Sequence, residues 1–216
     1  MSARERVLAA VRRALSSPRP APEAIAAEAA ALLEPAGAAR PPLAAPTLAA
    51  AFESKAAALG TTLERVDAWE AVPRAARRYL DAHGLAPSLA LQPAPELAAL
   101  NWAGIATRRD VAPDEPAALG LALWGVAETG SLVVHSGPDA PILLSFLPLH
   151  HLVVLRERAL LAHLEDYAAR LEGTEPPRNA ILITGPSGTT DIEGSYVRGA
   201  HGPGFLHVIL VGENPR

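Results

Sequence analysis

Short, almost uninterrupted apolar runs constrain this chain more than any other feature. SLVVH (131–135), HLVVL (151–155), AILIT (180–184) and LHVILV (206–211) lack the polar–apolar alternation of a strand with one wet face. At five or six residues each they are also too short for buried helices. They predict strands covered on both sides, hence an α/β domain with a mostly parallel sheet and helices on both faces. AILIT belongs to this set and reads as a buried strand.

Other stretches fill in the order. TTLERV (61–66), SLALQ (88–92) and residues 103–107 read as strands. Helices are predicted from 47, where Thr47 is the cap, to Leu59, and over 69–83, 115–124 and 157–171, with a helical turn at 95–101. Upstream, Val7, Leu8, Val11 and Leu15 recur at helical spacing behind a Ser2/Glu5 capping box. Residues 16–46 are rich in Ala and Pro, with a short helix over 22–33, and read as a semi-extended arm. The expected division is an arm over 1–46 and an α/β domain over 47–216.

Composition removes several chemistries. A chain of 216 residues with 50% hydrophobic content can bury a full core, and a net charge of −4 without a Lys/Arg run gives no reason to expect nucleic acid. Cysteine is absent, so no thiol nucleophile, disulfide or cysteine-held iron–sulfur cluster can reside in it. Lys55 is the only lysine and lies far from any phosphate-type loop. No apolar run approaches the ~20 residues that span a bilayer. The expected location is the cytoplasm, with no membrane partner.

The stretch with most chemistry is ILITGPSGTTDIEGSYVRGAHGP (181–203). A strand leads into Gly185-Pro186-Ser187-Gly188, which cannot prolong it. Thr189, Thr190 and Asp191 are suited to cap a short helix running to Val197 and stopped by Gly199. The turn Gly185, Pro186, Ser187, Gly188 and Thr189 would cradle an anion through its free backbone N–H groups, which Pro186 lacks, and the Ser187 and Thr189 hydroxyls. In a parallel sheet that turn is expected beyond the carboxyl ends of the strands. Asp191 and Glu193 stand two residues apart and would face different directions on that helix. His201, next to Gly202, is the titratable candidate for proton transfer. A second loop, GVAETGS (125–131), holds Glu128, Thr129 and Gly130; Glu128 is either a cap for a turn or a nucleophile. His150 and His151 should point to opposite faces of a strand, and no metal spacing is present.

Four blocks, GVAETGSLVV, FLPLHHLVVL, GPSGTTDIEG and GAHGPGFLHVILV, resemble the lactate-utilisation protein C family of LUD-domain proteins in order and spacing. That resemblance implies a fold like the sugar isomerases, CoA transferases and 5-formyltetrahydrofolate cyclo-ligase. It also implies a part in oxidising L-lactate to pyruvate beside iron–sulfur oxidoreductase partners, which carry the clusters; this chain would be a non-redox subunit without a cofactor, binding a small anionic ligand at the Gly185 loop. Relatives often carry a basic residue where this chain has Gly188, so Arg198 or Arg109 would have to replace it. The alternative is a free-standing acyl-CoA transferase-like enzyme, or a nucleotide-dependent ligase-like one, using Glu128.

Overall fold

A computed structural model of the chain describes residues 2–15, 20–33, 40–190 and 194–212. It divides into two units, residues 1–41 and 42–216. The first holds α1 (Ala3–Ala14) and α2 (Pro22–Leu33). At the start of α1 the capping box is reciprocal: the Ser2 amide donates to Glu5 Oε2 at 2.6 Å, and the Glu5 amide donates to Ser2 Oγ at 3.2 Å.

The second unit begins with α3 (Leu48–Ala58), β1 (Thr62–Val66), α4 (Val72–Ala82), β2 (Ser88–Leu91) and α5 (Pro95–Ala98). Strands β3 (Ala106–Arg108), β4 (Ala117–Leu121), β5 (Trp124–Val126), β6 (Ser131–His135) and β7 (His150–Arg156) follow. It closes with β8 (Leu160–Leu161), α6 (Leu164–Leu171), β9 (Ala180–Ile183), β10 (Gly188–Thr190), β11 (Tyr196–Arg198) and β12 (Phe205–Val211).

Six strands form one sheet in the order β1-β12-β7-β4-β2-β3, with all five pairings parallel. One face is covered by α4 and α5 through Val72, Ala76, Leu80 and Leu97, packed on Leu89, Leu119, Leu152 and Ile209. The other face takes α3 through Ala49, Phe52 and Ala56, against Val153, Leu155, Val208 and Leu210. A second sheet, β8-β5-β6-β9, shares that core through Leu132 and Leu160. The strand side chains at the centre are fully buried, each contributing roughly 1.5–3 kcal/mol of transfer free energy. This is the α/β architecture that the unbroken apolar runs require.

Three elements depart from expectation. Residues 115–124 are not a helix but β4 and the start of β5. Their Ala- and Leu-rich composition favours helix locally, but β4 lies between β7 and β2, where small side chains are needed. A Cβ on Gly120 would stand 3.1 Å from Gln92 Oε1 and 3.4 Å from His151 Nε2; pairing on both edges overrides propensity. The helix expected over 157–171 shortens to α6, because Leu160 and Leu161 pair with Gly125 and Val126 of β5. The AILIT run is β9, an edge strand antiparallel to β6, and Leu182 in it is 42% exposed. It is not a buried strand of the parallel sheet.

Candidate functional site

Among the described residues no helix follows Gly185. Gly188, Thr189 and Thr190 pair antiparallel with Arg198, Val197 and Tyr196, so the expected capped helix is a β-hairpin. β-Branched and aromatic residues on both arms favour that outcome. Asp191 and Glu193, both candidate ligand contacts, lie outside the described residues. The Tyr196 ring lies across Gly188. Nor is the Gly185 turn beyond the carboxyl ends of the parallel strands. The Ser187 amide donates to the Pro203 carbonyl at 2.7 Å, and the Gly199 amide to the Ser187 carbonyl at 3.0 Å. Pro186 packs beside Gly60. Pro203 leads into β12 and Gly60 into β1, which puts the turn at the amino ends.

The two loops singled out in the sequence do meet. Ser131 Oγ donates to Thr129 Oγ1 at 2.8 Å and lies 2.7 Å from Thr184 Oγ1, so hydroxyls bridge ETGS to ITGPS. Gly130, at φ +68°, and Gly185, at φ +90°, both press on the end of α3, at Ala56 and Leu59 respectively. That is the negative end of a helix dipole, the opposite of the helix N-terminus that an amide cradle needs. Phe205 in turn donates its amide to the Leu149 carbonyl at 3.0 Å, joining the GAHGPGF block to FLPLHH. Gly202 lies over Ser187, and His201 is exposed beside it.

Glu128 accepts the Leu164 amide at 2.9 Å and thereby caps α6, where Asp166 also receives the His163 amide at 3.0 Å. Its carboxylate thus fills a helix N-terminus. Glu128→Ala is expected to cost about 0.5–2 kcal/mol, read as a lowered urea midpoint, with Glu128→Gln losing less.

Beside these loops, at the amino ends of β1, β12 and β7, lies a polar–aromatic cluster that sequence reasoning missed. Tyr79 on α4 and His83, which caps the end of that helix, stack with centroids 4.0 Å apart. The Tyr79 hydroxyl lies 2.9 Å from His150 Nδ1, and burial pushes this phenol up to about 12. The phenol therefore stays protonated in this contact. Burial, then the nearby His83, lowers the pKa of His150. His150 stacks on Phe205 at 4.3 Å, and the Arg198 guanidinium sits 4.8 Å from the centre of the same ring. His207 Nδ1 meets Thr62 Oγ1 at 2.8 Å. Burial brings His207 down to about 4, opposed by Glu64 and reinforced by His83. His83 Nδ1 donates to the Tyr79 carbonyl at 2.9 Å. The one sequence signal for this cluster is His207 inside the run LHVILV, a polar residue where only apolar ones are expected. On the opposite face of the sheet, as alternation requires, His151 is 1% exposed with neither ring nitrogen hydrogen-bonded. Its burial brings it down to about 4.

Residues 49–211 match the family model of the LUD domain. The chain is 32% identical over 115 residues to the uncharacterized protein YkgG of Escherichia coli K12, covering 50% of each. It is 30% identical over 117 residues to lactate utilization protein C of Geobacillus sp. WCH70, covering 51% of this chain and 48% of the relative. The corresponding protein of Deinococcus radiodurans is 34% identical over 89 residues, or 40% of this chain and 42% of the relative. The chain thus spans about half the length of the curated relatives it matches. A crystal structure of a DUF162 family protein from Deinococcus radiodurans superposes with a TM-score of 0.57 at 24% identity, over 76% of this chain and 96% of that one, a likeness of fold. With three quarters of its residues inside the domain match, the chain belongs to the LUD domain family.

Proposed function

We propose that this chain is the non-redox member of a cytoplasmic system that oxidises L-lactate to pyruvate, working with iron–sulfur oxidoreductase partners. The similarity to proteins named lactate utilization protein C supports the pathway. The absence of cysteine supports the division of labour, since electrons leaving a two-electron oxidation need a carrier that this chain cannot build from thiolates.

One observation carries the reading. Hydrogen bonds draw together the four blocks that resemble the family, scattered over residues 125–211: Ser187 with Pro203 and Phe205 with Leu149 join three of them, and Ser131 of the first meets Thr184, the residue just before the third. A small carboxylate is held there by side chains rather than by an amide cradle, with Arg198 supplying the charge and His201 and the Ser187 hydroxyl supplying hydrogen bonds. Glu128 serves this site indirectly, by fixing α6 and its own loop; engaged on the Leu164 amide, it lends no support to acyl transfer.

In the native host, deletion of the gene is expected to abolish growth on L-lactate while leaving growth on glucose intact. A tagged chain should co-purify iron–sulfur proteins, and Arg198→Ala should fail to restore lactate growth although it is produced and folded. Normal lactate growth in the deletion strain, with no iron–sulfur protein on the tagged chain, would defeat the reading.

A further inference from the structure

The opposite end of the parallel sheet carries a second site. A cleft of about 250 Å³ opens where β2 and β3 end, walled by Pro93 and Trp102 and edged by Gln92, Thr107, Arg108 and Arg109. Ligands of open parallel sheets bind beyond the carboxyl ends of the strands, and this cleft is so placed. We propose that it binds a small aromatic anion, a flat ring bearing one carboxylate or phosphate.

The donors of the cleft carry the charge argument. Gln92 is 7% exposed, and its Oε1 already accepts the Leu121 amide at 2.8 Å. Its Nε2 has no acceptor among the described residues and is not one of the buried unpaired atoms, so it faces solvent at the cleft, free to donate to a ligand. Arg108 uses only Nη2 on Glu115, at 2.5 Å to each carboxylate oxygen, so Nε and Nη1 remain. Glu115 is 1% exposed and also takes the Ala112 amide at 3.2 Å, which ties down the segment after β3 that carries Arg109. Arg109 itself has no carboxylate partner among the described residues. No Asp or Glu lines the cleft. Glu115 offsets the charge of Arg108, so Arg109 supplies the net positive charge. With an amide donor and a hydroxyl beside it the cleft selects an anion, and the planar guanidinium fork suits carboxylate or phosphate.

The wall sets the body of the ligand. The Trp102 indole is held in place because its Nε1 donates to the Leu97 carbonyl at 2.8 Å, and Pro93 is the apolar surface of the same cleft. A rigid indole with its one donor spent offers a ring only packing. The volume lies just under the usual range of about 300–1,000 Å³ for small-molecule pockets, enough for one ring and one charged group but not for a dinucleotide.

Calorimetric titration of the full chain tests this with four probes: nicotinate, its uncharged isostere nicotinamide, phenyl phosphate and inorganic phosphate. Saturable binding of nicotinate or phenyl phosphate is expected, with whichever binds tighter telling carboxylate from phosphate. Nicotinamide and inorganic phosphate should bind at least about tenfold more weakly, and Arg109→Glu should weaken the ring-bearing anions by about tenfold or more. Arg109 is exposed, and Arg109→Gln provides a second variant, with thermal melting as the check that both fold. The proposal is overturned if neither ring-bearing anion saturates, if inorganic phosphate binds as well as they do, or if both Arg109 variants bind like the parent.

Discussion

Replacing Gly130 with alanine is expected to lower stability by about 3–5 kcal/mol, enough to unfold much of a domain of ordinary stability. Two effects add. The residue sits at φ +68°, which costs a side-chain-bearing residue about 1–2 kcal/mol. Its Cβ would also stand 2.6 Å from the Ala56 nitrogen and 2.9 Å from the Ala56 Cα, both backbone atoms of α3. A side chain in the way could rotate; a helix backbone cannot, so the loop must lift and break the packing of Ala56 into the core. Gly84 is the control. It has nearly the same φ, +63°, and nothing within 4 Å of a Cβ, so Gly84→Ala should show the conformational cost alone. Urea unfolding of both variants measures the difference. Equal losses would mean that the ETGS loop does not press on α3, and the meeting of the two loops would fall with it.

The second large effect is acid sensitivity. His151 and His207 are both brought from 6.5 to about 4 by burial in the fold. Between these values the unfolded chain binds a proton at each histidine and the folded chain does not. Stability is therefore fully present above the unfolded pKa and falls as pH drops from about 6.5 towards 4, by up to about 1.4 kcal/mol per pH unit for each residue. The pair should cost about 2–3 kcal/mol between pH 6 and pH 5, a large share of a typical total. His151→Leu removes one of the two without leaving an unmet polar group, since neither ring nitrogen of His151 has a partner to lose. The slope of urea stability against pH over this range should then fall by up to about 1.4 kcal/mol per pH unit. An unchanged slope would show that His151 is not buried neutral in the folded chain.

Residues that sequence reasoning weighed and those it passed over differ in how far apart their partners lie. The Ser2/Glu5 box and the Thr47 cap act over three residues and were legible from spacing. Thr62 and His207, in contrast, are 145 positions apart, and Tyr79 and His150 are 71 apart. No local period encodes such pairs; only the order β1-β12-β7 and the seat of α4 upon it create them. Glu128 was visible as a carboxylate at a turn, but its partner, the Leu164 amide 36 residues on, came from the fold. Hairpin against helix after Gly185 turned on the same point, since Thr189 and Thr190 can cap a helix or pair across a ladder, and Tyr196 and Val197 opposite them settle which.

By itself the sequence determined the class of the protein. Unbroken apolar runs admit strands buried on both faces, four blocks mark the family, and the missing cysteine excludes thiol chemistry in this chain. The tertiary structure alone decided which end of the sheet the Gly185 loop occupies, that an Ala-rich run is the strand between β2 and β7, and that three histidines and a tyrosine gather near Phe205. Burial preference is a property of each residue and can be read one position at a time. Sheet order is a property of the whole chain, and the sites at both ends of this sheet follow from it.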